Sequence, residues 1–373
     1  MNLTAFLQQR TGNQEIDAVL SSLEQMNSGR LWNDLGLCLL NLVYTHRAYN
    51  AQTLLNNVFS DLGNKLDAMV LLELLDVYLT RENTDLSQKL DMAEKMNQFI
   101  KKDDVALVYL DLIKAKHMMI QNDVEGAMNK IKETETQLLK LRNFPKLLYS
   151  VLNFVKSDYY WRKEDFQNYH QTILQFLVYT DNDKLSLDDQ KLISERTVLS
   201  ALVSDKVLSF GDILESPFIS ILKDIPDKQI LWQLVEIFNS GKVSAFTQFV
   251  EKNRVALNKL QFTPTQVDAL DRKIRVIALY DAIFYTENSF SKQKISFKEV
   301  ANITNTDELA VERLLIHVLS IELIKGHIDE PNNQLIITEL KPRDLDRERL
   351  TQLREKYKNW QNNISQTLQR IKI

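Results

Sequence analysis

The chain has 373 residues, 44 % hydrophobic and 26 % charged, with 46 Lys or Arg against 50 Asp or Glu and a net charge of −4. So much apolar side chain is enough for a continuous core, so disorder is not the default reading; the near balance of charge excludes a general pull toward nucleic acid or anionic membrane, although not a local patch. The single cysteine, Cys38, excludes an internal disulfide and a cysteine-rich zinc site and suits a reducing compartment.

At about 150 residues per domain, two or three packing units are expected. Met1 to Arg10 lacks the charged region and long apolar core of a secretory signal. No apolar run approaches the roughly 18 residues that span a bilayer, so a cytoplasmic and nuclear protein is expected. Cys38 lies in the apolar run Leu35-Gly-Leu-Cys-Leu-Leu and reads as a buried small hydrophobe rather than a nucleophile.

From Glu15 to about Lys259, apolar residues recur at helical spacing. Val105, Val108, Leu112, Ala115 and Met119 mark one helix. Val124, Met128, Ile131 and Leu138 mark the next, joined through Gln121-Asn122-Asp123 with Asp123 as N-cap. The arrangement recurs as Val151–Arg162 and Phe166–Tyr179 around Lys163-Glu164-Asp165. It recurs again as Ile230–Phe238 and Val243–Val250, where Gly241 ends the first helix in a left-handed conformation. These are helical hairpins of the tetratricopeptide kind without that repeat's strict consensus. Stacked hairpins of this type share a core in a curved rod and usually present surfaces to partners.

After Pro264 the pattern changes. Thr265–Thr286 reads as one long buried helix. Ser296 and Glu299 form a capping box for a short helix, and Asn305-Thr306-Asp307-Glu308 ends it and starts another over Leu309–Ile324. Lys325-Gly326 is expected to end that helix. His327–Asp329 and Leu335–Thr338 then form a hairpin around Pro331-Asn332-Asn333. Helix, short strand, helix, turn, helix, hairpin is the order of a winged helix. The last segment, 344–373, is a polar helix with one apolar seam of Leu350, Leu353, Tyr357, Trp360, Ile364, Leu368 and Ile371, stepping by three and four. It either folds back on its own domain or meets other chains; Trp360 and Tyr357 are typical interface anchors and favour the second.

The fold class is therefore mainly α: a helical-hairpin, tetratricopeptide-like solenoid over 1–259, a winged-helix module over 260–343 and a C-terminal assembly helix over 344–373.

Catalytic and cofactor motifs are missing. No two glycines are five apart, which removes the phosphate-binding loop, and no glycine cluster makes a dinucleotide fingerprint. No histidine precedes Glu, and no His-x-His or Gly-x-Ser-x-Gly occurs. His317 and His327 make only a pair, short of the three or four ligands zinc needs, and read as unrelated side chains. Lys101-Lys102-Asp103-Asp104 and Arg347-Glu348-Arg349 mix signs and read as solvated faces. No catalytic residue, cofactor or metal is expected.

Winged helices often bind DNA. Between Lys294 and Arg343, however, six Lys or Arg meet eight Asp or Glu. The would-be recognition helix starts with Asp307 and Glu308, carries Glu312 and Glu322, and offers only Arg313 as a cation. That helix repels phosphate, so the module reads as protein-binding. Leu335, Ile336, Ile337 and Thr338 are expected to form an edge strand that accepts a partner's strand, although its alternate side chains also suit packing on their own helices.

A helical arm feeding a winged helix resembles the PCI family. Within it, Phe210-Gly-Asp-Ile-Leu, Ser216-Pro217, Phe238-Asn-Ser-Gly, Ile295-Ser-Phe-Lys-Glu-Val-Ala, Lys325-Gly-His-Ile-Asp-Glu and Pro342-Arg343 resemble the proteasome-lid branch from about Phe210 onward. Upstream, only helical character and overall length agree. The resemblance implies a PCI domain over about 165–343 and a non-catalytic scaffold of the 26S proteasome regulatory-particle lid. It implies pairing with other lid PCI subunits through the winged helix around Lys294–Lys341, and a bundle made with their terminal helices through Leu350–Ile371. It leaves open a ubiquitin-receptor subunit as a further partner, and implies neither nucleic acid nor membrane. A signalosome or translation-initiation-factor subunit shares the architecture. A winged-helix nucleic-acid binder and an enzyme with an unusual site are the readings from other classes.

Overall fold

The computed structural model describes residues 14–45, 51–63, 65–80, 100, 103–140, 145–180, 185–259, 264–285, 293–341 and 347–371. Contacts divide the chain into two compact units, Met1–Glu164 with Thr172–Lys184, and Asp165–Gln171 with Leu185–Ile373.

The first unit is built from α1 (Gln14–Ser28), α2 (Trp32–Thr45), α3 (Ala51–Leu62), α4 (Ala68–Thr80), α5 (Asp104–Ile120), α6 (Val124–Leu138), α7 (Lys146–Arg162) and the later part of α8 (Phe166–Tyr179). Leucines fill its core, among them Leu23, Leu35, Leu72, Leu75, Leu110 and Leu148. Cys38 is half-buried against this core, 3.9 Å from the Ser22 hydroxyl. The α5–α6 hairpin forms where the periodicity places it. Val108, Leu112, Ala115 and Met119 are buried from one helix, and Ile131 and Leu138 from the other. Asn122 takes the left-handed turn conformation, and the Asp123 carboxylate accepts from the Gly126 amide at 3.0 Å.

The second unit continues with α9 (Leu187–Val203), α10 (Gly211–Glu215), a 3-10 turn (Ile219–Lys223), α11 (Gln229–Ser240), α12 (Val243–Lys259) and α13 (Pro264–Tyr285). Gly241 sits at φ 66° and closes α11 as expected. Then come β1 (Gln293–Ser296), α14 (Phe297–Thr304), α15 (Glu308–Ser320), β2 (Ile324–Asp329), β3 (Gln334–Leu340) and α16 (Arg347–Ile371). That is the winged-helix order with a terminal helix. The 259/260 boundary expected from sequence lies inside this unit, between α12 and α13. The Ser296–Glu299 capping box is complete, with both reciprocal bonds formed. Asn305 ends α14 in the left-handed region.

Helix α13 organises the second unit. It buries Leu270, Ile274, Val276, Ile277, Leu279 and Ile283 together with one cation, Lys273. The Lys273 ammonium donates to the carbonyls of Ala201 at 2.5 Å, Leu202 at 3.3 Å and Ser204 at 2.5 Å, where α9 ends. Those carbonyls have no helical donor of their own and sit at the negative end of the helix dipole. The ammonium also lies 5.3 Å from the centre of the Phe210 ring, itself packed on Phe238. Two residues on, Arg275 does the equivalent for α14. It donates to the carbonyls of Thr304 at 2.7 Å and Asn305 and to the Thr306 hydroxyl at 2.8 Å, while Asp271 grips its guanidinium from the same helix. Further along, the Tyr280 hydroxyl donates to Lys341 O at 2.7 Å, beyond β3.

The sheet order is β1-β3-β2, antiparallel throughout. This corrects the expectation for Leu335–Thr338. Strand β3 is central, because the four residues of β1 return to pair along Gln334–Ile337 while β2 pairs on the other side. Leu335 and Ile337 are buried, Ile336 is half-buried, and Thr338 is the residue skipped in a bulge opposite Lys325/Gly326. Gly326 also corrects an expectation. The helix Leu309–Ile324 stops at Ser320, with Glu322 in the left-handed turn, and Gly326 lies within β2. There the backbones approach so closely that a Cβ would sit 2.2 Å from Ile336 O.

Two outcomes are expected. Lys273→Met keeps the length of the side chain but strands buried carbonyls, so it lowers stability by about 2 kcal/mol or more, read from the urea unfolding midpoint. His170 is buried; desolvation first, and then the nearby Lys273 charge, hold its imidazole at about 4 instead of the usual 6.5, against the pull of a bond to the Thr197 backbone. Its contribution is complete above pH 6.5 and is lost as pH falls toward 4, because the unfolded chain binds a proton that the folded chain excludes. The full difference is about 3 kcal/mol. His170→Gln is expected to flatten the fall of thermal midpoint with pH over that window.

Candidate protein interface

The longest exposed feature of the second unit is α16. Of the seven seam positions, Leu350, Tyr357, Trp360, Ile364 and Leu368 are exposed, at 48, 50, 58, 43 and 53 %, and Leu353 is half-buried. Ile371 closes the helix, and its side chain lies outside the described residues. Among the described residues, no element of the second unit makes an extensive contact with α16. A row of aromatic and branched side chains left half in water, on a helix that is otherwise polar, suits burial against another helix.

The winged helix offers a different surface. Its recognition helix α15 keeps Val311, Leu314, Leu315 and Val318 inside and presents Leu309, at 95 % exposure, and Ile316, at 54 %, one above the other with Arg313. Asp307, Glu308 and Glu312 ring its start, and the wing carries Asp329 and Glu330. Lys325 is paired with Glu339 at 2.6 Å, a bond that holds the Glu339 carboxyl below the usual range, and Lys341 pairs with Glu322 at 3.3 Å. These pairings leave no basic tract on α15 or the wing for a phosphate backbone. With β3 paired on both sides, strand addition at Leu335, Ile336, Ile337 and Thr338 would have to displace β1 or β2. The edges of the sheet are β1 and β2.

His317 is half-buried on α15 and His327 exposed on β2. Among the described residues, no three or more His, Cys, Asp or Glu stand close enough to hold a metal ion. No helix among them is long and apolar enough to cross a membrane. Lys101, Lys102, Pro342 and Arg343, named above from sequence, lie outside the described residues, as do the side chains of Arg347-Glu348-Arg349. Sequence reading missed Leu309 and Ile316 as exposed residues. Their spacing of seven was visible, but which face of α15 the core covers was not.

A family model described as PSD13 N-terminal repeats matches residues 19–235, and one described as PCI domain matches 250–339. The chain belongs to the PSD13-repeat family. In this family member the PCI match runs from within α12 through most of β3 and includes the winged helix. The chain is similar to 26S proteasome non-ATPase regulatory subunit 13 of Dictyostelium discoideum, 25 % identical over 361 residues, 94 % of this chain and 92 % of that one. It is similar to 26S proteasome regulatory subunit RPN9 of Saccharomyces cerevisiae, 23 % identical over 278 residues, 74 % of this chain and 69 % of that one. It is also similar to eukaryotic translation initiation factor 3 subunit M of Nematostella vectensis, 24 % identical over 187 residues, 50 % of this chain and 45 % of that one. The likeness thus reaches into the amino-terminal half, where the sequence motifs alone gave no residue-level match.

Because the seam is exposed, Trp360→Ala is expected to change the thermal midpoint of the isolated chain little, within about 0.5 kcal/mol of stability. A large loss of stability would instead show that α16 packs on its own chain.

Proposed function

We propose that this chain is a non-catalytic structural subunit of the 26S proteasome regulatory-particle lid, acting in ubiquitin-dependent degradation through protein–protein contacts in cytoplasm and nucleus. The observation that carries this is the likeness along nearly the whole of both chains to a relative named as a regulatory subunit of that particle. The family's two parts, the repeats and the PCI domain, both match. In this reading residues 1–259 form an arm, 260–343 pair with neighbouring PCI subunits, and 344–373 join a helix bundle. The bundle contacts are Leu350, Leu353, Tyr357, Trp360, Ile364, Leu368 and Ile371. A subunit of translation initiation factor 3 is the second reading, supported by a likeness that covers half of this chain.

Affinity purification of the tagged chain from its own cells, followed by mass spectrometry after a salt wash, tests both. Near-stoichiometric proteasome regulatory subunits are expected. Initiation-factor subunits in their place would establish the second reading, and neither set would overturn both. Deleting 344–373 is expected to leave a folded chain by circular dichroism that recovers at least ten-fold less of those subunits, on the order expected for loss of a central interface element.

A further inference from the structure

The charges of the chain are unevenly placed. Residues 347–373 carry seven Lys or Arg and two Glu, whereas the rest of the chain carries 39 basic against 48 acidic side chains. The placement within α16 is more telling than the total. Tyr357, Ile364 and Leu350 fall at one seam position of the heptad and Leu353 and Trp360 at the other. Arg347 and Arg354 then occupy the positions flanking one side of the seam, with Gln361 between Arg354 and Leu368. Arg349, Lys356 and Arg370 occupy the flank on the other side, with Asn363. No acid stands on either flank. Glu348 and Glu355 both fall on the line opposite the seam, and Glu355, Arg354 and Arg370 are exposed.

We infer that the seam of α16 is built to receive an apolar helix of a different protein whose own flanking positions are acidic, and to refuse a second copy of itself. Flanking charges set partner choice in helix pairs: two copies of α16, parallel or antiparallel, bring cation against cation along the seam, whereas acidic flanks pair with each of them. The narrowness of the seam argues for a helix over a lipid surface. Gln361 and Asn363 flank it, and Asn359, Ser365 and Gln366 stand just outside them, where a helix lying in a membrane needs a wide apolar face. The inference rests on the reading of α16 as an assembly element and adds the chemistry of what it meets.

The full-length chain is titrated with two synthetic helices of about four heptads, both with Ile and Leu on the seam, one with Glu and the other with Lys at every flanking position. The Glu helix is expected to bind at least about ten-fold more tightly, with the ratio shrinking as salt is raised. Replacing Arg349, Arg354, Lys356 and Arg370 by Glu, in a variant whose circular dichroism and melting are unchanged, is expected to reverse the preference. Equal binding of the two helices overturns the inference. Dimerisation of the chain by sedimentation at low salt overturns it in favour of a second copy, and co-pelleting with phosphatidylserine vesicles without helix preference overturns it in favour of lipid. A chain that co-purifies with proteasome subunits yet shows no preference refutes only this charge assignment. One that prefers the Glu helix yet recovers no such subunits refutes only the assembly reading.

Discussion

Two cations on one helix hold the second unit together. Lys273 and Arg275 are two residues apart, so their side chains leave α13 about 200° apart around its axis. Lys273 reaches the end of α9, and Arg275 reaches the end of α14. Each supplies donors to carbonyls that a helix cannot satisfy itself, and each places positive charge at the negative end of a dipole. Helix α13 thereby belongs to two packing layers: the helices from α9 to α12 on one side, and the winged helix on the other. Burial first, and the ammonium of Lys273 second, lower the pKa of His170.

That keystone could not be read from the sequence. In Asp-Arg-Lys-Ile-Arg, residues 271–275, the charges look like a solvated helix face. Their role depends on carbonyls about 70 residues earlier and about 30 later, at the ends of helices whose positions only the folded chain fixes. Local signals fared differently. The Asp123 cap, the left-handed Gly241 and the Ser296–Glu299 box each involve residues within four of one another, and each forms as expected. The sheet went astray for the same reason that the keystone was hidden. Strand order is decided by which segment returns to pair, and β1, only four residues long, contributes too little pattern to announce that it covers Leu335–Ile337.

The candidate interface lies between these cases. The seam of α16 was legible as a periodicity, and its exposure is what the fold adds. The exposed side of α15 was not legible, because Leu309 and Ile316 resemble the core residues beside them in everything but direction. The family relationship supplied what neither pattern nor geometry holds, namely relatives named as regulatory subunits of the 26S proteasome.

The bulge in the wing bears on how this sequence can vary. Every amino acid other than glycine carries a Cβ, and at position 326 that single carbon would fall 2.2 Å from the carbonyl oxygen of Ile336, on backbone that cannot swing aside as a side chain can. The site therefore has no conservative neighbour: alanine, the mildest exchange, already carries the whole clash. A residue on an outer strand, partly open to solvent, is in this respect less free to drift than most of the buried leucines, which can trade a methyl group for a small cavity.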